Sequence, residues 1–373
     1  MTDSAYPDPA HQTLDDLDPE NATTDRLIAM VRRHREGEEY PTAETLIGNL
    51  PDNPDPAPSV FYGSVAAHGT AVAGVAAATG GNFYGVAGVA PQARVAGRRV
   101  PLRDTYYPSE LGDDFAMTDR FVDAIHFGGA AAIPIKNHSY GPDQRYAMRA
   151  AEQDAVRQTA SAGMIHVYAA GNETFDTGTR ASNLPEALLV AAVGADGRFA
   201  DYSNYGASIL VAGPSRANRD HLPGLFTTDM VGGYGYTNNA GQDQLASGSS
   251  WGDPDYTQGF GGTSGAAPVI AGALALAREV RPDLNLRWAK HLLVNTSRCV
   301  DAEDSTERSD GGWRSNAAGC AFNPNYGFGL VDATALVRLA GNEHLQLSPL
   351  LTWDGPVLES PGVIPDGSAT GLR

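Results

Sequence analysis

Four short segments place the side chains of acyl-transfer chemistry next to glycine or small residues. The side chains are His68, Ser139, Asn172 and Ser264. A serine hydroxyl attacks a carbonyl only when a neighbouring base takes its proton, and His68 is the base of this set. The oxyanion that forms needs hydrogen-bond donors, which the Asn172 amide and the Ser264 backbone N–H would supply. Each residue alone is weak evidence, since a lone histidine or asparagine more often caps a helix or forms a turn. Together, the four predict nucleophilic catalysis.

The candidate nucleophile lies directly ahead of a long apolar run. Ser264 belongs to the segment Gly261–Pro268, and the run Val269–Val280 has no polar stripe, which predicts a helix buried on all sides. Pro268 is expected in the first turn of this helix, where no backbone donor is needed. Ser264 would then lie at the positive end of the helix dipole, which stabilises developing negative charge. The competing interpretation makes Ser264 only the N-cap of the helix.

From His68 onward, apolar segments alternate with turn residues, which predicts strands separated by helices and a mostly parallel sheet covered on both faces. The predicted strands are 93–100, 131–138, 164–170, 187–194 and 208–213. The predicted helices are 65–79, 114–127, 145–162, 269–280 and one after 333, and a further segment at 286–294 has no assigned type. Residues 214–263 are expected to form a long functional loop. Such a sheet gathers the ends of its strands at one edge, so the four candidate side chains are expected to meet there.

The composition argues against several classes of partner. The chain has 373 residues and a net charge of −18, which disfavours nucleic acid and anionic membrane surfaces. No run of 18 apolar residues is present, so no membrane span is expected. The acidic residues 1–21 lack the apolar core of a signal peptide. Cys299 and Cys320 favour a disulfide around the polar loop between them, with two free thiols as the alternative.

Three segments resemble the motifs of the subtilisin-type serine peptidases, and the segments 85–90, 139–143, 255–257 and 325–329 resemble the kexin/furin-like branch more closely. The three segments read HGTAVAG at 68–74, AAGN at 169–172 and GGTSGAAP at 261–268, and the match extends over about residues 46–340. The resemblance implies an α/β fold of three layers, with a central, mostly parallel sheet between helices. It also implies that His68 is the general base, Ser264 the nucleophile and Asn172 the oxyanion donor.

The same resemblance implies how substrate and metal would bind. Ser139, Tyr140 and Gly141 would form the edge that pairs with an extended protein or peptide substrate, and Asp143 would favour a basic residue. The loop 80–86 resembles the family's calcium site, whose oxygen ligands would here be the Asn82 side chain and the carbonyls of Gly80, Tyr84 and Val86. The alternative for that loop is an ordinary Gly/Asn turn. A monomeric serine endopeptidase that works outside the cell or in the periplasm is expected.

One expected part of the catalytic triad has no counterpart in the chain. The family carries an aspartate at the end of an early strand, but here the apolar run 28–31 is followed by Arg32. An arginine would repel the imidazolium that an aspartate stabilises. Asp25, Asp52 and Asp55 are poor substitutes by position. Three interpretations stay open: the chain has lost catalysis and only binds peptides, it uses another aspartate, or residues 1–45 are not native to the domain.

These observations give a domain organisation. Residues 1–45 form an atypical N-terminal segment, residues 46–344 the peptidase domain, and residues 345–373 a linker with the start of a truncated P domain. Kexin-like enzymes read paired basic residues with carboxylates, whereas this chain has Ala66 and Ala67 before the histidine and Gln144 after Asp143. Strict cleavage at dibasic sites is therefore not expected.

Overall fold

A computed structural model of the chain describes residues 60–61, 64–65, 67–98, 121–140, 150–177, 184–218, 222–238, 243, 245 and 252–348. Its strands are β1 (Val60–Phe61), β2 (Ser64–Val65), β3 (Ile135–His138), β4 (Ile165–Ala169), β5 (Ala187–Val193), β6 (Ile209–Pro214), β7 (Leu225–Thr228), β8 (Tyr256–Phe260), β9 (Arg314–Ser315) and β10 (Ala321–Phe322). Its α-helices are α1 (His68–Ala77), α2 (Gly129–Ala132), α3 (Ala150–Ser161), α4 (Thr263–Val280), α5 (Leu286–Thr296) and α6 (Ala333–Ala340). A short 3₁₀ helix spans Glu307–Ser309, and residues 121–126 are helical.

A parallel sheet of four strands in the order β3-β4-β5-β6 forms the centre of the fold. All seven residues of β5 are buried, and all are Ala, Leu or Val. A strand of this composition suits the middle of a sheet that is covered on both faces. The described part of the chain therefore has the predicted three-layer arrangement of helices around a mostly parallel sheet.

The two faces of the sheet separate two cores. Ile165 and Val167 of β4 face a core with α4, α5 and α6, while Tyr168 faces a second core with Val156 of α3 and Ile125. This division follows from the twofold alternation of side chains along a strand. By the same alternation, Asn137 and Ser139 share one face of β3, and Lys136, His138 and Tyr140 share the other.

Helix α4 crosses the front of the sheet and is almost completely buried, as its apolar sequence predicts. It begins earlier than predicted, with Gly262 as N-cap residue, so Ser264 is the second residue of the helix and does not cap it. Pro268 is consequently an interior residue of the helix rather than part of its first turn.

Other local predictions were wrong. Residues 93–98 form no strand, residues 131–132 are helical, and the predicted loop 214–263 contains the antiparallel pair β7–β8. Cys299 and Cys320 are free thiols, so the favoured disulfide is not formed. β7 and β8 have only four and five residues, and neither shows a clear alternation of apolar and polar side chains. Among the described helices, none has the length and apolarity needed to cross a membrane.

Candidate active site

His68 is the first residue of α1 and lies beside the strand that leads into α4. Its ring packs edge-on against Phe260, with 5.6 Å between ring centroids. Burial lowers the pKa of His68 below its ordinary value of 6.5. The ring is therefore neutral at pH 7, as a general base must be.

The small residues of α1 let this helix approach the β-hairpin closely. A Cβ atom on Gly74 would lie 2.4 Å from Thr227 Oγ1 and 2.9 Å from the Thr228 backbone nitrogen. Thr227 and Thr228 donate their hydroxyls to the carbonyls of Ala71 and Thr70 in the helix. These contacts fix the start of α1, and with it His68.

Ser264 is joined to the end of β3 by two reciprocal hydrogen bonds. Its hydroxyl donates to the Ser139 carbonyl at 3.2 Å, and the Ser139 hydroxyl donates to the Ser264 carbonyl at 2.8 Å. Asn137 in turn donates its side-chain amide to the Ser139 hydroxyl at 2.8 Å. No hydrogen bond joins Ser264 Oγ to the His68 ring in this structure, where the Ser264 hydroxyl is bonded to the Ser139 carbonyl. Catalytic hydrogen bonds commonly tighten only when substrate binds.

Pro268 explains why the Ser264 carbonyl is free to accept from β3. In an α-helix the carbonyl of residue 264 would normally accept from the N–H of residue 268. Proline has no N–H, so Pro268 leaves this carbonyl without its helical donor. The Ser139 hydroxyl replaces the missing donor. A sequence feature predicted only to start the helix therefore links the nucleophile to the sheet.

Asn172 lies in the loop after β4, is exposed, and is held by one end of its amide. Its Oδ1 accepts from the Thr263 backbone N–H at 2.8 Å and from the Thr263 hydroxyl at 3.0 Å. The Thr263 hydroxyl also accepts from the Gly171 N–H at 3.0 Å. Because the oxygen is fixed in this way, the NH₂ end of Asn172 is left to donate elsewhere.

The two expected oxyanion donors converge beside Gly262. The position that a Cβ of Gly262 would occupy is 3.5 Å from Asn172 Nδ2 and 3.6 Å from the Ser264 backbone nitrogen. Gly262 has φ 73°, a conformation that glycine adopts without strain. The start of α4 thus offers two donors around a space without a side chain, which is the arrangement that stabilises a developing oxyanion.

Three buried residues that the sequence analysis missed support this arrangement. Asn204 accepts from the N–H groups of Glu173 and Phe175 and donates to the Ala170 carbonyl, so it braces the Asn172 loop. Ser215 donates to the Gly262 carbonyl at 2.7 Å. Thr263 holds Asn172, as described above. Thr263 lies inside the serine motif at 261–268, but its bonds to Asn172 were not predicted, and nothing local in the sequence marks Asn204 or Ser215.

The structure describes only some of the remaining predicted site residues. Ser139 and Tyr140 follow β3 at the edge beside Ser264, while Gly141 and Asp143 lie outside the described residues. Asp25, Arg32, Asp52 and Asp55 also lie outside them. Within the described ranges, no carboxylate is hydrogen-bonded to His68. The triad acid therefore stays unassigned.

The predicted calcium loop is exposed and supplies neutral oxygens. Asn82 Oδ1 accepts from the Tyr84 N–H at 3.1 Å, and the aromatic side chains of Phe83 and Tyr84 point into solvent. No group of three or more acidic, histidine or cysteine side chains that could hold a metal occurs in the described residues. Gly80, Asn82, Tyr84 and Val86 could hold Ca²⁺ only together with carboxylates from elsewhere in the chain, because this ion is usually bound by several charged oxygens.

Comparison with known proteins agrees with this geometry. Residues 38–329 match the family model described as the subtilase family. The chain belongs to the subtilase family. The resemblance seen in the sequence motifs is thereby confirmed. His68, Asn172 and Ser264, which lie at the start or end of helices and strands, stand in the motifs that carry this resemblance.

The relatives of this subtilase include bacterial proteases and convertases. It is 32% identical to the Aeromonas extracellular serine protease of Aeromonas sobria, over 76% of this chain and 52% of that protein. It is 30% identical to neuroendocrine convertase 2 of Drosophila melanogaster, over 74% and 39%. It is 32% identical to a calcium-dependent protease of Trichormus variabilis, over 73% and 40%. The chain thus spans about half or less of the length of these relatives.

A solved structure agrees with the fold of this subtilase. The crystal structure of the Aeromonas sobria serine protease superposes with a TM-score of 0.65 at 26% identity, over 81% of this chain and 56% of that chain. The predicted α/β class and the kinship with convertases are both supported by these matches.

Proposed function

We propose that the chain is a serine endopeptidase that cleaves peptide bonds in extended protein or peptide substrates. The observation that carries the proposal is the convergence of Asn172 Nδ2 and the Ser264 N–H beside Gly262, next to the Ser264 hydroxyl. Donors fixed before the reaction stabilise an oxyanion without reorganisation, and such donors contribute strongly to acyl transfer.

In this mechanism Ser264 Oγ leaves its contact with the Ser139 carbonyl and gives its proton to neutral His68. The oxygen attacks the substrate carbonyl, and the oxyanion accepts from Asn172 and the Ser264 N–H. His68 then donates the proton to the leaving amine, and water hydrolyses the acyl-enzyme by the same steps in reverse. The edge at Ser139 and Tyr140, continued by Gly141, would hold the substrate as an added strand, with Asp143 beside a basic side chain.

A second function is a peptide-binding module with little or no turnover. It is favoured by the sequence, in which Arg32 follows the apolar run 28–31 where the family has its aspartate. Without the orienting acid, the rate of a serine protease falls about 10⁴-fold while the cleft persists.

We also propose a setting for the activity. One relative is named an extracellular protease and another a calcium-dependent protease, which supports work outside the cell and a structural Ca²⁺ at residues 80–86. We propose that a single copy of the chain is sufficient for cleavage. Residues 1–45, 46–344 and 345–373 are proposed as the N-terminal segment, peptidase domain and linker.

Labelling with a fluorophosphonate probe tests the function. The full chain is incubated with the probe beside Ser264→Ala and His68→Ala variants, and the modified residue is identified by mass spectrometry. We expect labelling of Ser264 in the parent chain and in neither variant. Equal labelling of all three proteins would contradict the proposal.

A further substitution separates the two candidate functions. If the parent chain is inert, Arg32→Asp returns a carboxylate to the position where the family has one. Labelling that appears only in Arg32→Asp means an intact serine site that lacks its acid. No labelling in either protein, with a folded chain by circular dichroism, supports the peptide-binding module.

A further inference from the structure

A line of buried polar side chains lies behind the active-site edge, on the face of the sheet opposite to Ser264. His138 of β3 and His166 of β4 are 2% and 0% exposed, and His138 Nε2 is 2.9 Å from His166 Nδ1. At one end, His138 Nδ1 is 2.7 Å from the Tyr140 hydroxyl. At the other, His166 Nε2 is 2.9 Å from the Thr159 hydroxyl. A buried imidazole pair of this kind has no part in the mechanism above.

The hydrogen bonds of this line run in one direction. The Thr159 hydroxyl donates its hydrogen to the Ala155 carbonyl at 2.6 Å, so it accepts from His166 Nε2–H. His166 Nδ1 then carries the lone pair and accepts from His138 Nε2–H, which leaves His138 Nδ1 to accept from the Tyr140 hydroxyl. The reverse order would leave the Tyr140 hydrogen without an acceptor among the described residues. Only two neutral rings satisfy every group.

The surroundings keep both rings neutral. Burial, with smaller contributions from the neighbouring charges, lowers the pKa of His166 to about 3 and the pKa of His138 below its ordinary value. Lys136 on β3 and His126 in the helical residues 121–126 act on the pair, and Tyr168 on β4 is stacked on His138. Glu152 on α3 acts on the two tyrosines next to the pair. A further proton on either ring would remove an acceptor nitrogen from the line, and the Tyr140 hydroxyl hydrogen would then lose its acceptor.

The line connects to the catalytic serine through Ser139. His138 and Tyr140 are anchored on the back face of the sheet, and Ser139 between them points forward and exchanges hydrogen bonds with Ser264. Fixing residues 138 and 140 therefore fixes the peptide planes on both sides of residue 139. The anchoring of residues 138 and 140 therefore holds both the backbone of the substrate edge and the contact between Ser139 and Ser264.

We propose that Tyr140, His138, His166 and Thr159 form a back-face relay that positions Ser139, and through it Ser264, for the proposed reaction. The residues of the relay are positioning residues, since none of them touches the reacting atoms. This inference rests on the proposed endopeptidase function for its effect on rate, but the relay itself is a property of the folded chain.

The sequence supplies a matched pair of variants. Tyr140→Phe removes the hydroxyl that starts the relay. Tyr168→Phe removes a hydroxyl from a ring that is stacked on the same His138, with 4.0 Å between centroids, and that is buried, whereas Tyr140 is half-buried. The Tyr168 hydroxyl has no hydrogen-bond partner among the described residues. The two variants therefore differ in whether the relay is cut.

The first measurement is the second-order rate of fluorophosphonate labelling of the full chain at pH 7.5. We expect Tyr140→Phe to slow labelling about five- to tenfold, the loss that one buried hydrogen bond typically causes. We expect Tyr168→Phe to stay within about twofold of the parent chain, since no bond is lost. Equal rates for the two variants would overturn the proposal.

The second measurement is independent of activity and also serves if the parent chain does not label. Nitrogen-15 spectra of histidine-labelled protein report which ring nitrogen carries the proton. We expect both rings neutral and protonated on Nε2 at pH 7, with the His138 Nδ1 resonance moved by Tyr140→Phe and not by Tyr168→Phe. A proton on Nδ1 of either ring, a charged ring, or equal effects of the two variants would overturn the relay. An intact relay in a chain that does not label contradicts the proposed function alone.

Discussion

Gly262 leaves open the space that the two proposed oxyanion donors share, and a methyl group at this position would occupy that space at ordinary van der Waals distances. The carbon that alanine would add lies 3.4 Å from Asn172 Oδ1 and between the two donors. We expect Gly262→Ala to reduce the labelling rate of Ser264 about 100-fold, the loss typical of a removed oxyanion donor. The measurement is the labelling rate, beside the unfolding midpoint in urea.

A second glycine serves as a control that separates the effect of filling the space beside Gly262 from the effect of backbone strain. Gly197 has φ 80° and no atom within 4 Å of an added Cβ, so Gly197→Ala places a side chain at positive φ in open space. We expect it to lower the free energy of unfolding by about 1 kcal/mol and to leave labelling unchanged. Similar labelling losses in the two variants would show that strain, and not the blocked space, is responsible.

At the scale of elements, the start of α4 depends on its contact with β3. Restoring a backbone N–H at residue 268 would give the Ser264 carbonyl its helical donor, and the Ser139 hydroxyl would then have to share that acceptor. We expect Pro268→Ala to slow labelling several-fold, about the effect of one hydrogen bond, although the helix itself gains propensity.

The cycle of Pro268→Ala, Ser139→Ala and the double variant measures this coupling. Because both changes act on one hydrogen bond, we expect the double variant to label only as slowly as the slower single variant. Losses that simply multiply would show that Pro268 and Ser139 act on Ser264 separately. Urea unfolding of all four proteins separates a loss of stability from a loss of positioning.

Sequence reasoning found the elements with strong local signals and missed those without them. The buried strand β5 and helix α4 follow from unbroken apolar runs, and His68, Asn172 and Ser264 stand in short motifs at the ends of elements. Asn204 and Ser215 could not be found, because each acts on a loop distant in sequence through one hydrogen bond. The relay was also missed, since two histidines 28 positions apart meet only when β3 and β4 pair in register.

At the scale of the whole molecule, the buried histidines link stability to pH. Both rings have a pKa below 6.5 in the folded chain, with His166 at about 3, whereas both bind a proton near pH 6.5 when unfolded. Below pH 6.5 the unfolded state therefore binds more protons, so stability falls as the pH falls. The loss is about 1.4 kcal/mol per pH unit for each histidine between pH 6.5 and its folded pKa.

The variant His166→Gln tests this linkage, since glutamine does not titrate. We expect the dependence of the free energy of unfolding on pH, measured in urea between pH 4 and 6, to become shallower by about 1.4 kcal/mol per unit. We also expect the variant to be less stable than the parent chain at pH 7, but this loss does not affect the slope of the free energy of unfolding against pH. An unchanged slope would mean that His166 is charged in the folded chain.

The missing helical donor at Pro268 also bears on the order in which the chain assembles. The carbonyl of Ser264 accepts a hydrogen bond from Ser139, a residue 125 positions earlier. Helix α4 alone therefore cannot fix the position of Ser264. Closing so long a loop is entropically costly and belongs to the later, cooperative stage of folding. If the proposed function holds, a newly made chain would become an active protease only after its central sheet has formed.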